Sequence, residues 1–210
     1  MDWHTFPPQE IERESFAIIT RELGDRPIPP EQRPIITRVI HTTADFTYAD
    51  TLTFSPGAVD TAHAALRAGA GILTDTHMAQ AGLKKGVLQA FGGTAHCFMS
   101  DPDVAKEASA RGVTRAIVSM EKACALPAPL IVAIGNAPTA LLRLTELIAA
   151  GQMKPALVIG APVGFVNVIE SKAALRQVGV PCIITEGRKG GSTVAAAICN
   201  ALLLGAQTAK

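Results

Sequence analysis

Aromatic side chains are scarce, at 4% of the 210 residues, too few for the stacking surfaces that hold single-stranded nucleic acid. Net charge is nearly absent as well. A formal charge of +1 gives no electrostatic reason to expect nucleic acid or an acidic membrane as a partner. No apolar run reaches the roughly 18–20 residues that a membrane span needs. The longest, from Ala123 to Ala137, is interrupted by Pro127 and Pro129. The first residues, Met1-Asp-Trp-His-Thr-Phe-Pro-Pro8, have neither the basic stretch nor the apolar segment of a secretory signal, so a cytoplasmic location is expected. Cys97, Cys124, Cys182 and Cys199 form no C-x-x-C pair and read as ordinary buried thiols.

The strong catalytic and nucleotide signatures are missing too. Gly135-Asn-Ala-Pro-Thr139 is not G-x-G-x-x-G, and no G-x-x-x-x-G-K-[ST], G-x-S-x-G or H-E-x-x-H occurs. Asp75 and His77 could start a metal site, but two ligands with no third nearby do not make one, and no metal is expected.

What the chain does have is one pattern used three times. Leu130–Ile134, Ala156–Ile159 and Pro181–Thr185 are short apolar runs without polar alternation, as strands buried on both faces of a parallel sheet require. Each is followed by a Gly-rich turn and then a helical pattern, running to about Ile148, over Ile169–Gln177 and to about Leu204. Strand, turn, helix, strand is the βαβ unit, and it makes the chain an α/β protein. One domain over residues 1–210 is expected, with core βα units at 130–204 and N-terminal helices at 9–44 packing over the sheet. Open parallel sheets bind ligands outside the carboxyl ends of their strands, so the three turns should line one crevice. An apolar content of 48% fits a subunit interface, and a parallel sheet buried on both faces would raise it too.

The earlier part of the chain adds candidates. A helix from Gln9 to Leu23 carries Ile11, Ile18 and Ile19 on one stripe, with Phe16 and Leu23 at its edge and Ser15 inside it. A serine there bonds its own backbone more often than a ligand. A second helix from about Glu31 sets Ile35, Ile36, Val39 and Ile40 within an arc of roughly 140°. His41 lies almost opposite the centre of that arc, with Arg38 one turn before it and Thr37 nearby. It is either a surface histidine or half of an Arg-x-x-His pair able to bind an anion and move a proton. Thr51–Phe54, Gly71–Asp75 and Thr94–Met99 read as strands. Helices are expected from Ser55 to Ala68, His77 to Gly82, Asp101 to Arg111 and Thr114 to Ala125. Arg115 opens the last of these, where free N–H groups favour anions. The Gly-rich turns suit close approach to an acidic ligand. Asn136, Arg188, Lys189, Gly190 and Gly191 are therefore candidate contacts for something large and anionic.

Glu14-Ser-Phe-Ala-Ile18, Arg38-Val-Ile-His41, Val132-Ala-Ile-Gly-Asn-Ala-Pro-Thr-Ala-Leu141, Pro162-Val-Gly-Phe-Val166 with Glu170-Ser-Lys172, and Gly187-Arg-Lys-Gly-Gly191 resemble the precorrin-8X methylmutase family, in order and over nearly the whole chain. The resemblance implies a homodimer with a doubly wound, mostly parallel sheet, helices on both faces, and no cofactor. It implies an isomerase of cobalamin biosynthesis that moves a methyl group from C-11 to C-12 of precorrin-8X or cobalt-precorrin-8, with His41 catalytic. It also implies substrate contacts at Ser15, Arg38 and Arg115. Two other classes stay open on the residues alone: a non-catalytic tetrapyrrole carrier, which substrate turnover would exclude, and a nucleotide-dependent oxidoreductase, which the missing phosphate fingerprint disfavours.

Overall fold

The structure, a computed structural model, describes residues 7–208. Its strands are Leu52–Phe54 (β1), Gly71–Thr74 (β2), Ala95–His96 (β3), Leu130–Ile134 (β4), Leu157–Gly160 (β5) and Cys182–Thr185 (β6). They form a six-stranded sheet in the order β1-β6-β5-β4-β2-β3. All neighbours are parallel except β1, which runs antiparallel to β6 at the edge. Every residue of β4, β5 and β6 is buried, as their unbroken apolar sequences demand.

Alternate side chains of these strands enter two different cores. Ile131, Ala133, Ile159 and Ile183 pack with helices Pro8–Leu23 (α1), Arg33–Thr43 (α2), Ala58–Arg67 (α4) and Ser192–Thr208 (α11). Leu130, Val132, Ile134, Val158 and Ile184 face Arg115–Lys122 (α8), Pro138–Ala149 (α9) and Val168–Gln177 (α10). The short helices Tyr48–Thr51 (α3), His77–Gly82 (α5), Lys85–Ala90 (α6) and Pro102–Arg111 (α7) complete the chain. From β4 the chain steps through β5 to β6, whereas β3 lies beyond β2 on the other side. The sheet is thus doubly wound, and winding reverses between β2 and β4, the topological switch point.

Several expectations are corrected. The strand expected over Thr94–Met99 keeps only Ala95 and His96, because β3 meets β2 over two residues alone, Ile72↔Ala95 and Leu73↔His96. Helix α2 begins at Arg33, since the preceding residues form a turn in which the Gln32 N–H donates to the Pro29 carbonyl. Helix α8 stops at Lys122 and continues as a single tight turn, Ala123–Ala125. That turn leaves Cys124 exposed, although the other cysteines are buried and all four are free. On α1 only part of the expected stripe is covered. Ile19 and Leu23 are buried, but Ile11 is 54% and Ile18 36% exposed, because α1 packs chiefly on α2 and not on the sheet.

Candidate active site

The turns after β4, β5 and β6 do meet at one sheet edge, and at two points their backbones touch. A Cβ on Gly135 would stand 2.7 Å from the Cα of Ser192, and one on Gly190 would stand 2.2 Å from the Ala161 carbonyl oxygen. Only glycine allows these backbones to come so close. At these two points the loops lining the expected crevice are locked together. Several of their donors are already used. Asp75, 1% exposed at the end of β2, accepts from three successive N–H groups, Gly135 at 2.8 Å, Asn136 at 2.8 Å and Ala137 at 2.7 Å. Burial raises its pKa, and the three backbone donors pull the other way. At the switch point, where such turns commonly cradle a phosphate, this chain places its own carboxylate. The neighbouring hydroxyls of Thr76 and Ser192 are bonded at 2.8 Å, tying the β2 and β6 turns together. Asn136 keeps its side chain exposed at this edge.

The Gly187–Gly191 turn is held from three sides. The Gly191 N–H donates to the Ala161 carbonyl at 2.9 Å, and the Gly164 N–H to that of Arg188 at 3.2 Å. Lys172 of α10, only 3% exposed, donates to the carbonyls of Gly187 at 2.8 Å and Lys189 at 2.9 Å. Burial lowers its pKa to about 8. The Lys189 ammonium reaches across to Asp45 at 2.6 Å and Thr47 at 3.0 Å. That bond is the largest cause holding the Asp45 carboxyl at about 2, with the Thr47 hydrogen bonds adding to it. Arg188 has no carboxylate partner among the described residues, and its guanidinium lies 5.5 Å from the ring centre of Phe165. Phe165 is 84% and Val166 77% exposed.

Asp45 links this turn to α2, which Ala44 ends in the left-handed region at φ 53°. His41, in the last turn of α2, is exposed, as its place off the buried arc requires. Its ring meets the edge of Phe16 from α1 at 5.0 Å between centres. The Arg38 guanidinium lies 5.1 Å from the same ring centre and pairs with Glu12 at 3.1 Å. Phe16 thus gathers Arg38 and His41 around one aromatic platform. Ser15, beside it in sequence, donates to the Ile11 carbonyl at 2.8 Å, its own backbone. Thr37 does not share the exposed face with His41 but is buried. It lines, with Phe16, Thr20, Arg33, Arg38 and Leu204, a groove of about 740 Å³ between α1, α2 and α11.

Arg115 is the first residue of α8 and exposed. The hydroxyl of Thr114 next to it bonds that of Thr139 at 3.2 Å, which sets the start of α8 beside the start of α9, on the Asn136 edge. His77 bonds Gln80 at 3.1 Å. Among the described residues no group of three or more His, Cys, Asp or Glu side chains is placed to hold a metal ion.

Three residues of this network escaped sequence reasoning in their present roles. The sequence marks Asp75 only as a metal partner for His77 and does not mark Asp45. Lys172 carried a usable signal, since it falls between Val168 and Leu175 on the buried face of α10.

Comparison with known proteins supplies the family. The family profile described as precorrin-8X methylmutase matches residues 10–204. The cobalt-precorrin-8 methylmutase of Priestia megaterium is 48% identical over 94% of this chain and 88% of its own length. The precorrin-8X methylmutase of Pseudomonas aeruginosa is 43% identical, covering 92% and 94%. The crystal structure of the precorrin-8X methylmutase from Thermus thermophilus superposes with a TM-score of 0.86 at 44% identity, over 94% of this chain and 97% of that one. The chain belongs to the precorrin-8X methylmutase family, and it is an isomerase of cobalamin biosynthesis.

Proposed function

We propose that this protein moves the methyl group on C-11 of a contracted tetrapyrrole to C-12, converting precorrin-8X or its cobalt form to hydrogenobyrinate or cobyrinate. A 1,5-sigmatropic shift redistributes bonding electrons within the substrate, so it calls for no redox partner and no covalent intermediate. The protein's work is to hold the macrocycle in the reactive shape and to stabilise one protonation state. His41 lends a proton to the ring system and retakes it, a role that suits the side chain whose charge changes near neutral pH. Arg38 exchanges Glu12 for a peripheral carboxylate of the substrate. Arg188, Arg115 and Asn136 take others, with Ser15 at the margin. Lys189 and the glycines at 190 and 191 shape the turn that bears Arg188.

The observation that carries this reading is the pairing of Arg38 and His41 on one aromatic ring, Phe16, with Asp45–Lys189 joining their helix to the Gly-rich turn. The protein works in the cytoplasm as a homodimer, in which a second copy covers His41 and the exposed Ile11 and Ile18 of α1. Incubation with each substrate, followed through the visible spectrum of the corrin product, tests the activity. Product bound tightly but never formed would leave a carrier. A fully active monomer in sedimentation would remove the dimer.

A further inference from the structure

We propose that Lys172 is a positioning residue for substrate carboxylates, its buried ammonium holding the Gly187–Gly191 turn in the shape that presents Arg188. The claim rests on the methylmutase reading above, and it begins from an oddity. A lysine almost never lies fully buried unless paired with an anion, yet Lys172 is 3% exposed and its two partners are backbone carbonyls, Gly187 and Lys189. No carboxylate lies within ion-pair distance of it among the described residues. On α10, Glu170 is exposed and Arg176 pairs with Glu186. On the turn, Lys189 is bonded to Asp45 while Arg188 lies over Phe165. On α9, the next helix, Arg143 and Glu146 bond one another at 2.7 Å.

The two carbonyls flank Arg188 in sequence, so the grip fixes the backbone on both sides of that residue. It reaches further along two routes. Through the Gly164 N–H on the Arg188 carbonyl, it steadies the loop bearing Phe165 and Val166. Through Lys189 and Asp45, it steadies the end of α2, four residues beyond His41. The Lys189 carbonyl has a second donor in the Thr185 hydroxyl at 2.9 Å. Among the described residues the Gly187 carbonyl has no second donor, so that end of the turn depends most on Lys172. A positive charge buried under an anion-binding turn also attracts the anion itself. Binding the polycarboxylate then favours the ammonium over the amine. Since burial already lowers the pKa of Lys172 to about 8, product affinity must fall as pH rises through that value.

The test uses the whole protein, wild type and two variants, Lys172→Gln and Lys172→Met. The glutamine keeps an NH₂ group that can donate but cannot titrate, and the methionine keeps neither property. Product affinity is measured by spectral titration from neutral pH to above 8. Amide exchange over residues 186–191 is measured without any tetrapyrrole. Wild-type affinity should decline across this range, and that of Lys172→Gln should be flat. At neutral pH the glutamine variant should bind about tenfold more weakly, the equivalent of one charge-assisted hydrogen bond, and exchange in the turn should rise in both variants. A wild-type profile that stays flat, with unchanged exchange in Lys172→Gln, would overturn the proposal even if Lys172→Met failed to fold. Exchange reports on Lys172 alone, whereas absence of corrin formation by the wild type would instead defeat the functional reading.

Discussion

Asp75 offers the sharpest test of how the turn edge is built. Its carboxylate is 1% exposed and satisfies three consecutive N–H groups at 2.7–2.8 Å. Replacing it by Ala removes both acceptor oxygens and leaves the three donors facing a cavity. Each buried donor without a partner costs about 1–3 kcal/mol. Asn136 is exposed, so water can reach part of this turn, and the low end of that range applies. The expected cost is about 3–5 kcal/mol, which for a chain of this size lowers the melting temperature by roughly 6–20 °C. Asp75→Asn separates geometry from charge. Its amide oxygen can replace Oδ2, which serves Asn136 and Ala137, but its amide NH₂ then points at the Gly135 N–H. That leaves one unsatisfied donor, a cost of about 1–3 kcal/mol. Thermal unfolding followed by circular dichroism gives both numbers, and titration with the corrin product shows whether the turn still presents Asn136. If Asp75→Ala melted within a degree or two of the wild type, the carboxylate would not anchor this turn.

Four further outcomes are expected. His41→Asn should fold and bind product nearly as the wild type does, since the residue is exposed, but lose about 10²–10⁴-fold in single turnover; a normal rate would end the acid–base role. Arg38→Leu should weaken product binding roughly ten- to a hundredfold, the worth of one charge-assisted contact, and an unchanged dissociation constant would place the anion site elsewhere. Gly190→Ala must push a Cβ against the Ala161 carbonyl, 2.2 Å away, and overpacking of this kind costs about 1–3 kcal/mol, so a wild-type melting temperature would mean that the turns are not interlocked. Asp45 titrates at about 2 in the folded protein against an ordinary 3.8, so its contribution to stability is complete above 3.8 and is lost as pH falls toward 2. Asp45→Asn should flatten the acid limb of the stability curve by that amount, and identical acid limbs would show the Lys189 bond to be idle.

How much of this was legible in the sequence depended on the range of the interaction. The runs Leu130–Ile134, Ala156–Ile159 and Pro181–Thr185 were readable because burial on both faces forbids polar residues, and that prohibition acts on each strand separately. The place of His41 was readable too, since helical periodicity fixes which side of α2 a residue occupies before anything packs against it. Helix α1 shows the limit of the same method. Periodicity found its stripe but not that Ile11 and Ile18 would stay exposed, because that depends on what α1 packs against. The length of β3 failed for a related reason, since a strand lasts only as far as its partner accompanies it.

The Gly-rich turns were harder still. Glycines before a helix promise free N–H groups, and local sequence cannot say whether a substrate or the protein's own chain will claim them. Here Asp75 claims three from sixty residues away, and Ala161 and Arg188 claim two more. These five donors are spent on the protein itself, so in this part of the edge the turns serve first to fix the loops against one another. Among the described residues His41, Arg115 and Arg188 have no internal acid partner, and on the proposed function these are the groups that meet the substrate. On the same reading Lys172 and Asp75 act on binding only through the turns they hold, since both are almost wholly buried.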